Sequence, residues 1–364
     1  MLTQVFPSRR IALYTARMFL LRSLAVLAAL VVILQSLDLL GESGRILAAP
    51  GNGDAELWRY VSLRVPQLVS RFLPFSVLLG TLITFATLSQ HSEVVAMKAS
   101  GISAHQILTP LIVAGAFVAL ASFAFNDMIV TRATATLSAW EAADYGRVPP
   151  GRAGASNVWV RSGDDLVRAL TVTGSGAATR LNGVTVYERD AGTLRAIVTA
   201  DAAQPDGSGW RLSNVRRFDV AAGAVTRQDF AVLPAPLTSD QFTLVDVDAD
   251  EQPFAVLRRS LGALRAADRP TNALETGLWH KISGPLSSML MPLLAAVAAF
   301  GLARTGQLFL RAVIGMGLGF TYFVADNFAL AMGDLGAYPP LLAAWAPFFL
   351  FLLIGETVLI RTEE

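Results

Sequence analysis

Six charge-poor apolar runs, three toward each end, alternate with polar stretches along the chain. A helix crossing a hydrocarbon core needs about 20 mostly apolar residues. The first run, Phe19–Leu40, carries Ser23–Leu37 without a charge, and Arg17 and Arg22 at its start are long enough to snorkel. The second is charge-free from Phe72 to Gln90 and extends upstream through Pro66; the third spans Gln106–Asn126. The fourth runs Ile282–Ala303. The fifth, Ala312–Gly333, is broken only by Asp326, and the sixth, Leu335–Gly355, starts near Pro339. The pattern predicts a polytopic α-helical membrane protein with six transmembrane helices in a 3+3 arrangement.

Between the third and fourth runs the pattern changes. Thr131–Tyr145 reads as a helical extension of the third span. After Pro149-Pro150 come short runs rich in β-branched and aromatic residues: Val158–Val160, Leu166–Val172, Val184–Tyr187, Leu194–Thr199, Trp210–Leu212 and Phe230–Leu233. Gly163-Asp164, Asn182-Gly183 and Asp206-Gly207 punctuate them as turns, which predicts a meandering antiparallel sheet. The segment 254–267 is amphipathic and reads as a helix near the membrane surface. The expected division is 1–130, 131–270 and 271–364, the middle part being an inserted β-rich domain.

Lys and Arg in short flanks set orientation. Arg9, Arg10, Arg17 and Arg22, then Arg304 and Arg311, then Arg361 fall on one side if there are six spans. That side is assigned to the cytoplasm. Both termini and the Lys98 loop then face inward, and the 41–62 loop and the β domain face outward. The first apolar run is long and lacks a small-residue cleavage pattern, so it reads as an uncleaved helix and not a signal peptide.

Composition sharpens the picture by exclusion. Charged residues make up 16% of the 364 positions, mean hydropathy is +0.50, and the net charge of +1 carries no nucleic-acid signature. There is no cysteine, which removes disulfides, thiol catalysis and cysteine metal sites. His91, His105 and His280 are far apart and show no ligand spacing. The only lysines, Lys98 and Lys281, follow Met97 and His280, so the Gly-Lys-Ser/Thr step of a phosphate-cradling loop is missing. No hydrolase or kinase motif is present. Asp164-Asp165 reads as a solvated hairpin. The chain is expected to be no enzyme and to bind no cofactor or metal.

The loop between the second and third runs is the most informative segment. In 89–103, Ser92 is placed to cap a short helix near 91–101, Glu93 falls in its first turn, and Gly101 would end it. Val94, Val95 and Met97 supply apolar groups and Glu93 and Lys98 supply charge. The residues alone allow a passive capped turn or a helix that docks on a cytoplasmic partner.

The stretch 92–103, SEVVAMKASGIS, resembles the signature of the YjgP/YjgQ permease family, the LptF and LptG subunits of the lipopolysaccharide exporter. The likeness extends to the LDLL of Leu37–Leu40, the LWHKISGPLSSMLMPLLA leading into the fourth span and the ADNF of Ala325–Phe328. Val158–Val160 and Trp279–Pro285 are more similar to the LptG branch than to the LptF branch. The resemblance implies a non-catalytic permease that pairs with a paralogous LptF-like subunit. It implies a docked LptB-like cytoplasmic ATPase dimer, which would use the ATP and Mg. It also implies a single-span LptC-like partner, a periplasmic LptA-like bridge reached through a jelly-roll-like β domain, and lipopolysaccharide as cargo. The family's location is the bacterial inner membrane, and its first and fifth helices face the sister subunit. Under this resemblance Glu93, Val94, Met97, Lys98, Ser100 and Gly101 form the ATPase-coupling helix.

Headgroup contacts do not carry over directly. Some LptG members are basic just beyond the first span, where this chain has Gly41-Glu42 and a nearest cation at Arg45. Arg45, Arg64, Arg71 and Arg132 are the outward-side cations, each readable as a phosphate contact or an interfacial anchor. Asp38 and Asp326 read either as a polar rim of a lipid cavity or as interfacial or paired carboxylates. Phe72, Phe75, Phe320 and Phe328 read as acyl-chain walls or as ordinary packing surface. Two other readings compete: a membrane-anchored scaffold or sensor whose β domain does the work, and a permease for another lipid.

Overall fold

The computed structural model describes residues 8–146, 156–174, 178–190, 192–206, 209–233, 242, 248–266, 270–301 and 308–363. The chain divides into two compact units. One comprises 1–146, 249–258 and 271–364, the other 147–248 and 259–270.

Among the described residues of the first unit, six helices are long and apolar enough to cross a membrane. Helix α1 is Arg9–Ala48, α2 is Asp54–Gln90 and the short α3 is Glu93–Ala99. The third span is α4, Ala104–Phe125, which continues through a π-helical turn at Asn126–Val130 into α5, Thr131–Glu141. Helix α6, Phe254–Ala266, precedes α7 (Asn272–Gly301), α8 (Leu308–Asp334) and α9 (Pro340–Glu363). The end at which α1 begins and α9 finishes is called the near end; α1 and α2 join at the far end.

Helices α1 and α2 exceed the apolar runs that announce them. At 1.5 Å per residue, the 40 residues of α1 reach about 60 Å, roughly twice a hydrocarbon core. Ser8 starts it, its Oγ accepting from the Ile11 N–H. Helix α2 does not begin at Pro66 but runs through both Pro66 and Pro74, starting at a capping box in which the Gly53 N–H donates to Glu56 Oε2 at 2.8 Å. A long helix packed against neighbours tolerates the donors that proline removes.

The largest core cluster joins Phe19 of α1, Val77, Leu78 and Phe85 of α2, Val94 and Met97 of α3, Leu108 and Leu111 of α4, Leu290 and Leu294 of α7, Tyr322 of α8 and Phe351 of α9. Helix α7 is the most deeply packed span, with 67% of its apolar window buried, against 28% for α1 and 22% for α8. The spans α1 and α8 therefore present the greatest apolar surface outward.

In the second unit, β1 (Ser156–Ser162), β2 (Asp165–Thr173), β3 (Arg180–Asp190), β4 (Thr193–Asp206), β5 (Gly209–Asp219) and β6 (Ala224–Leu233) form one antiparallel sheet in sequence order. This is the expected meander, and its described strands contain no crossover. Val158, Val167, Val186, Val198 and Leu212 bury one face, and Trp210 meets Phe242 edge-on at 5.2 Å. The expected turn at Asn182-Gly183 is a correction: both residues lie inside β3. Gly183 at φ +61 pairs β3 through a line that continues to Asn214 of β5 at φ +53. Buried positions change parity there, from Val184 and Val186 to Leu181 in β3 and from Val215 to Leu212 in β5. Gly183 thus acts as a mid-strand kink and not a hairpin. The Asp206-Gly207 turn falls partly outside the described residues.

The amphipathic pattern of 254–267 produces α6, with Leu257, Leu261 and Leu264 buried. Its apolar face is covered by protein. Asp127, in the π-helical turn, accepts from the Phe254 N–H at 2.5 Å and supplies an anion to the N-terminus of α6.

Candidate functional site

Two clusters in the first unit collect the sequence candidates, one at each end of the bundle.

At the near end, α3 is seven residues long. Val94 and Met97 are buried in the main core, while Val95 is 66% exposed and Lys98 is exposed in the last turn, where a cation suits the helix dipole. Val94 and Met97 therefore fasten α3 to the bundle, and the outward apolar group is Val95. The C-terminus closes as a Schellman turn: the Gly101 N–H donates to Lys98 O at 3.0 Å and the Ile102 N–H to Met97 O at 3.1 Å. Gly101, at φ +84, supplies the left-handed residue this turn needs. Ser100 Oγ donates to Met97 O at 2.8 Å. The N-terminal expectation is corrected. Ser92 stands at φ 58 and its side chain caps nothing, because a left-handed residue is needed to swing the chain from α2 into α3. Glu93 is instead held from α1, where Tyr14 Oη donates to its Oε1 at 3.3 Å.

At the far end, Asp38 of α1 is bound by α2. Arg64 Nε and Nη2 donate to its two oxygens at 3.1 Å each, and Tyr60 Oη donates at 2.6 Å. Gln67 accepts from Arg64 Nη1 at 2.8 Å. One turn beyond, Tyr145 Oη donates to Glu42 at 2.9 Å, and Arg45 bridges Glu42 at 3.1 Å and Asp144 at 3.5 Å. Trp140 and Tyr145 meet edge-on at 5.2 Å, Tyr60 and Tyr145 at 6.1 Å, and the Arg59 guanidinium lies 4.6 Å over the Trp140 ring. Asp144 and Tyr145 adopt φ +47 and +59, which turns the Tyr145 ring inward to 1% exposure. Burial and the bond to Glu42 push the Tyr145 phenol well above its ordinary range, so it stays a donor.

The cation candidates thus separate. Arg64 and Arg45 are already engaged by carboxylates, whereas Arg71 and Arg132 are exposed. Tyr60, Trp140, Tyr145, Arg59 and Glu42 were missed by the sequence reading. The only signal was their density near helix ends, which carries no register across helices.

The aromatic candidates separate as well. Phe72 packs against Leu27, Val31 and Leu68 between α1 and α2, and Phe75 packs on the main core. These two are packing residues in the structure and not free walls. Phe320 and Phe328 are 61% and 57% exposed on α8. Asp326 of α8 is half-buried and within electrostatic reach of His280 of α7. Asp38 is committed to α2, so no shared rim with Asp326 forms from contacts within this chain. No cluster of three or more metal-ligating side chains occurs among the described residues.

A family model described as lipopolysaccharide export system permease LptF/LptG matches residues 13–361. The lipopolysaccharide export system permease protein LptG of Escherichia coli (strain K12) is 27% identical over 353 residues, covering 94% of this chain and 94% of that protein. Its counterpart LptG in Haemophilus influenzae (strain ATCC 51907 / DSM 11121 / KW20 / Rd) is 24% identical over 330 residues, 86% of this chain and 89% of that protein.

Proposed function

Because the chain belongs to the LptF/LptG family of lipopolysaccharide export system permeases, we propose that it is the LptG-type membrane subunit of an ATP-driven exporter. In this reading it lies in the inner membrane with both termini in the cytoplasm. It pairs with an LptF-like subunit and carries lipopolysaccharide from the outer leaflet toward a periplasmic bridge. The sheet unit is then periplasmic and works beside LptC-like and LptA-like partners. Hydrolysis belongs to a separate LptB-like dimer, consistent with a chain whose two lysines sit in no phosphate-cradling motif.

The observation that carries this reading is α3. A seven-residue helix is too short to be stable alone, yet this one is anchored through Val94 and Met97, closed by a Schellman turn and tied to α1 by Tyr14. It presents Val95, Lys98 and the rim of Glu93 outward, a surface suited to a groove in a cytoplasmic partner. Force applied there reaches α1 directly.

Glu93→Lys tests it. Reversing a desolvated charge at an interface costs about 2–5 kcal/mol. The variant is expected to insert and fold normally but to lose the ATPase on co-purification, or to hydrolyse ATP without moving lipid. Wild-type export by Glu93→Lys contradicts the coupling role.

A further inference from the structure

We infer that α1 and α2 move as a single rigid hairpin, and that the pliable seam of this subunit lies between α2 and α8. The transport part of the test rests on the proposed function; the distance part does not.

The hairpin is fastened at three levels. At the near level Arg22 Nη1 donates to Ile83 O at 2.8 Å, and Ser23 and Gly80 bring the two backbones together: a Cβ on Gly80 would stand 2.6 Å from Ser23 Cα. Ser23 Oγ is buried and has no hydrogen-bond partner among the described residues, so this position uses small size rather than polarity. At the middle level Leu27 and Val31 pack on Leu68, with Leu34, Val65, Val69 and Phe72 around them. At the far level Asp38 is held by Arg64 and Tyr60. The connecting turn is fixed too, Asn52 Nδ2 donating to Ile46 O at 2.9 Å. Separating these helices would break charge-assisted bonds and open apolar packing at once.

The contact of α8 with α2 differs in kind. It is far slighter than that of α1 with α2, or of α8 with α7 and α9. It centres on Gly315 and Gly319, whose missing side chains admit Leu82 and Leu78; a Cβ on Gly315 would lie 2.6 Å from Leu82 Cδ2. Apolar side chains against bare helix backbone carry no directional bond, so they can slide or part at low cost. Elsewhere α8 is bound to its own neighbours: Tyr322 meets Phe351 edge-on at 5.4 Å, and a Cβ on Gly333 would lie 2.6 Å from Ala343 Cβ and 2.7 Å from Thr276 Oγ1. Leu78 and Leu82 lie nearly opposite Gly80 on the same turn of α2. One turn thus bears the tight α1 contact on one face and the loose α8 contact on the other.

The test uses the full chain, free of native cysteine, assembled with its sister subunit and ATPase. Spin labels at Leu37 and Trp58 report α1 against α2; labels at Trp58 and Val324 report α2 against α8. All three sites are exposed. Between nucleotide-free and vanadate-trapped states, the first distance should change by no more than about 2 Å and the second by about 5 Å or more. A change in the first distance, or none in the second, overturns the inference. Two cysteine pairs, each measured reduced and oxidised so that folding is controlled, then test the link to transport. Oxidised Val31→Cys/Leu68→Cys should export lipid at its reduced rate, and oxidised Leu78→Cys/Gly319→Cys should stop until reductant is added. Block by the first pair overturns the inference. Distances that behave as stated, with lipid release indifferent to both pairs, uphold the seam and overturn the transport reading instead.

Discussion

Arg64 grips both oxygens of Asp38 at 3.1 Å, a side-on pair that ties the far half of α1 to α2 within a membrane span. The pair leaves the Arg64 guanidinium already satisfied. The same geometry makes Asp38 a structural carboxylate of the hairpin, with Tyr60 completing its shell.

Removing one partner of such a pair is therefore expected to cost more than the pair contributes, since the other charge is left half-buried. Asp38→Asn should lower stability by about 1–3 kcal/mol, read as a drop in melting temperature of the detergent-purified protein. Arg64→Lys should recover only part of the loss, because an ammonium cannot make the side-on pair. Equal melting temperatures for wild type and Asp38→Asn would show that the pair fastens nothing.

At Gly80 the same hairpin is tested sterically. Gly80→Ala places a methyl against the Ser23 backbone, where no flexible side chain can yield, and should destabilise by about 1–3 kcal/mol. Gly317→Ala on α8 meets open space and should be neutral or slightly stabilising. A reversed order of the two melting temperatures contradicts the close approach of α1 and α2.

In the sheet, Asn214 holds φ +53 and its Nδ2 donates to Asp201 at 2.9 Å. Asn214→Gly should be tolerated. Asn214→Val should destabilise the sheet unit by about 1–3 kcal/mol, because a β-branched residue resists the left-handed region. Hydrogen exchange of β4 and β5 amides checks this: faster exchange in the valine variant alone is the expected outcome.

Orientation is testable with single cysteines at Ser92 and Thr193, both exposed. In intact spheroplasts an impermeant thiol reagent should label Thr193→Cys and leave Ser92→Cys unlabelled until the cells are broken. The opposite pattern would invert the assigned topology.

How much of this was legible depends on the range of the interaction. The six spans are written in local hydropathy, and so is the meander, through β-branched runs and turn residues. Length was underread, because Arg9–Leu13 and Asp54–Val65 are helical through caps and packing at the ends of α1 and α2 and not through hydropathy. Gly183 misled because glycine marks a turn and a mid-strand kink alike. Gly101 was read correctly as a helix stop, since its role is decided within three residues. The far-end cluster was only half visible: Asp38, Arg45 and Arg64 drew attention as charges in an apolar setting, but their pairing requires the α1–α2 register, which no local pattern encodes. Tyr14 was invisible for the same reason, lying 79 positions from the Glu93 it contacts.

The most direct test of the account is reconstitution. The chain would be co-expressed with its LptF-like and LptB-like partners and placed in proteoliposomes containing lipopolysaccharide, and release of that lipid to an acceptor would be followed with and without ATP. The account predicts ATP-dependent release that fails in Glu93→Lys while the complex members other than the ATPase still co-purify. Release independent of ATP, or undiminished release by Glu93→Lys, would contradict it.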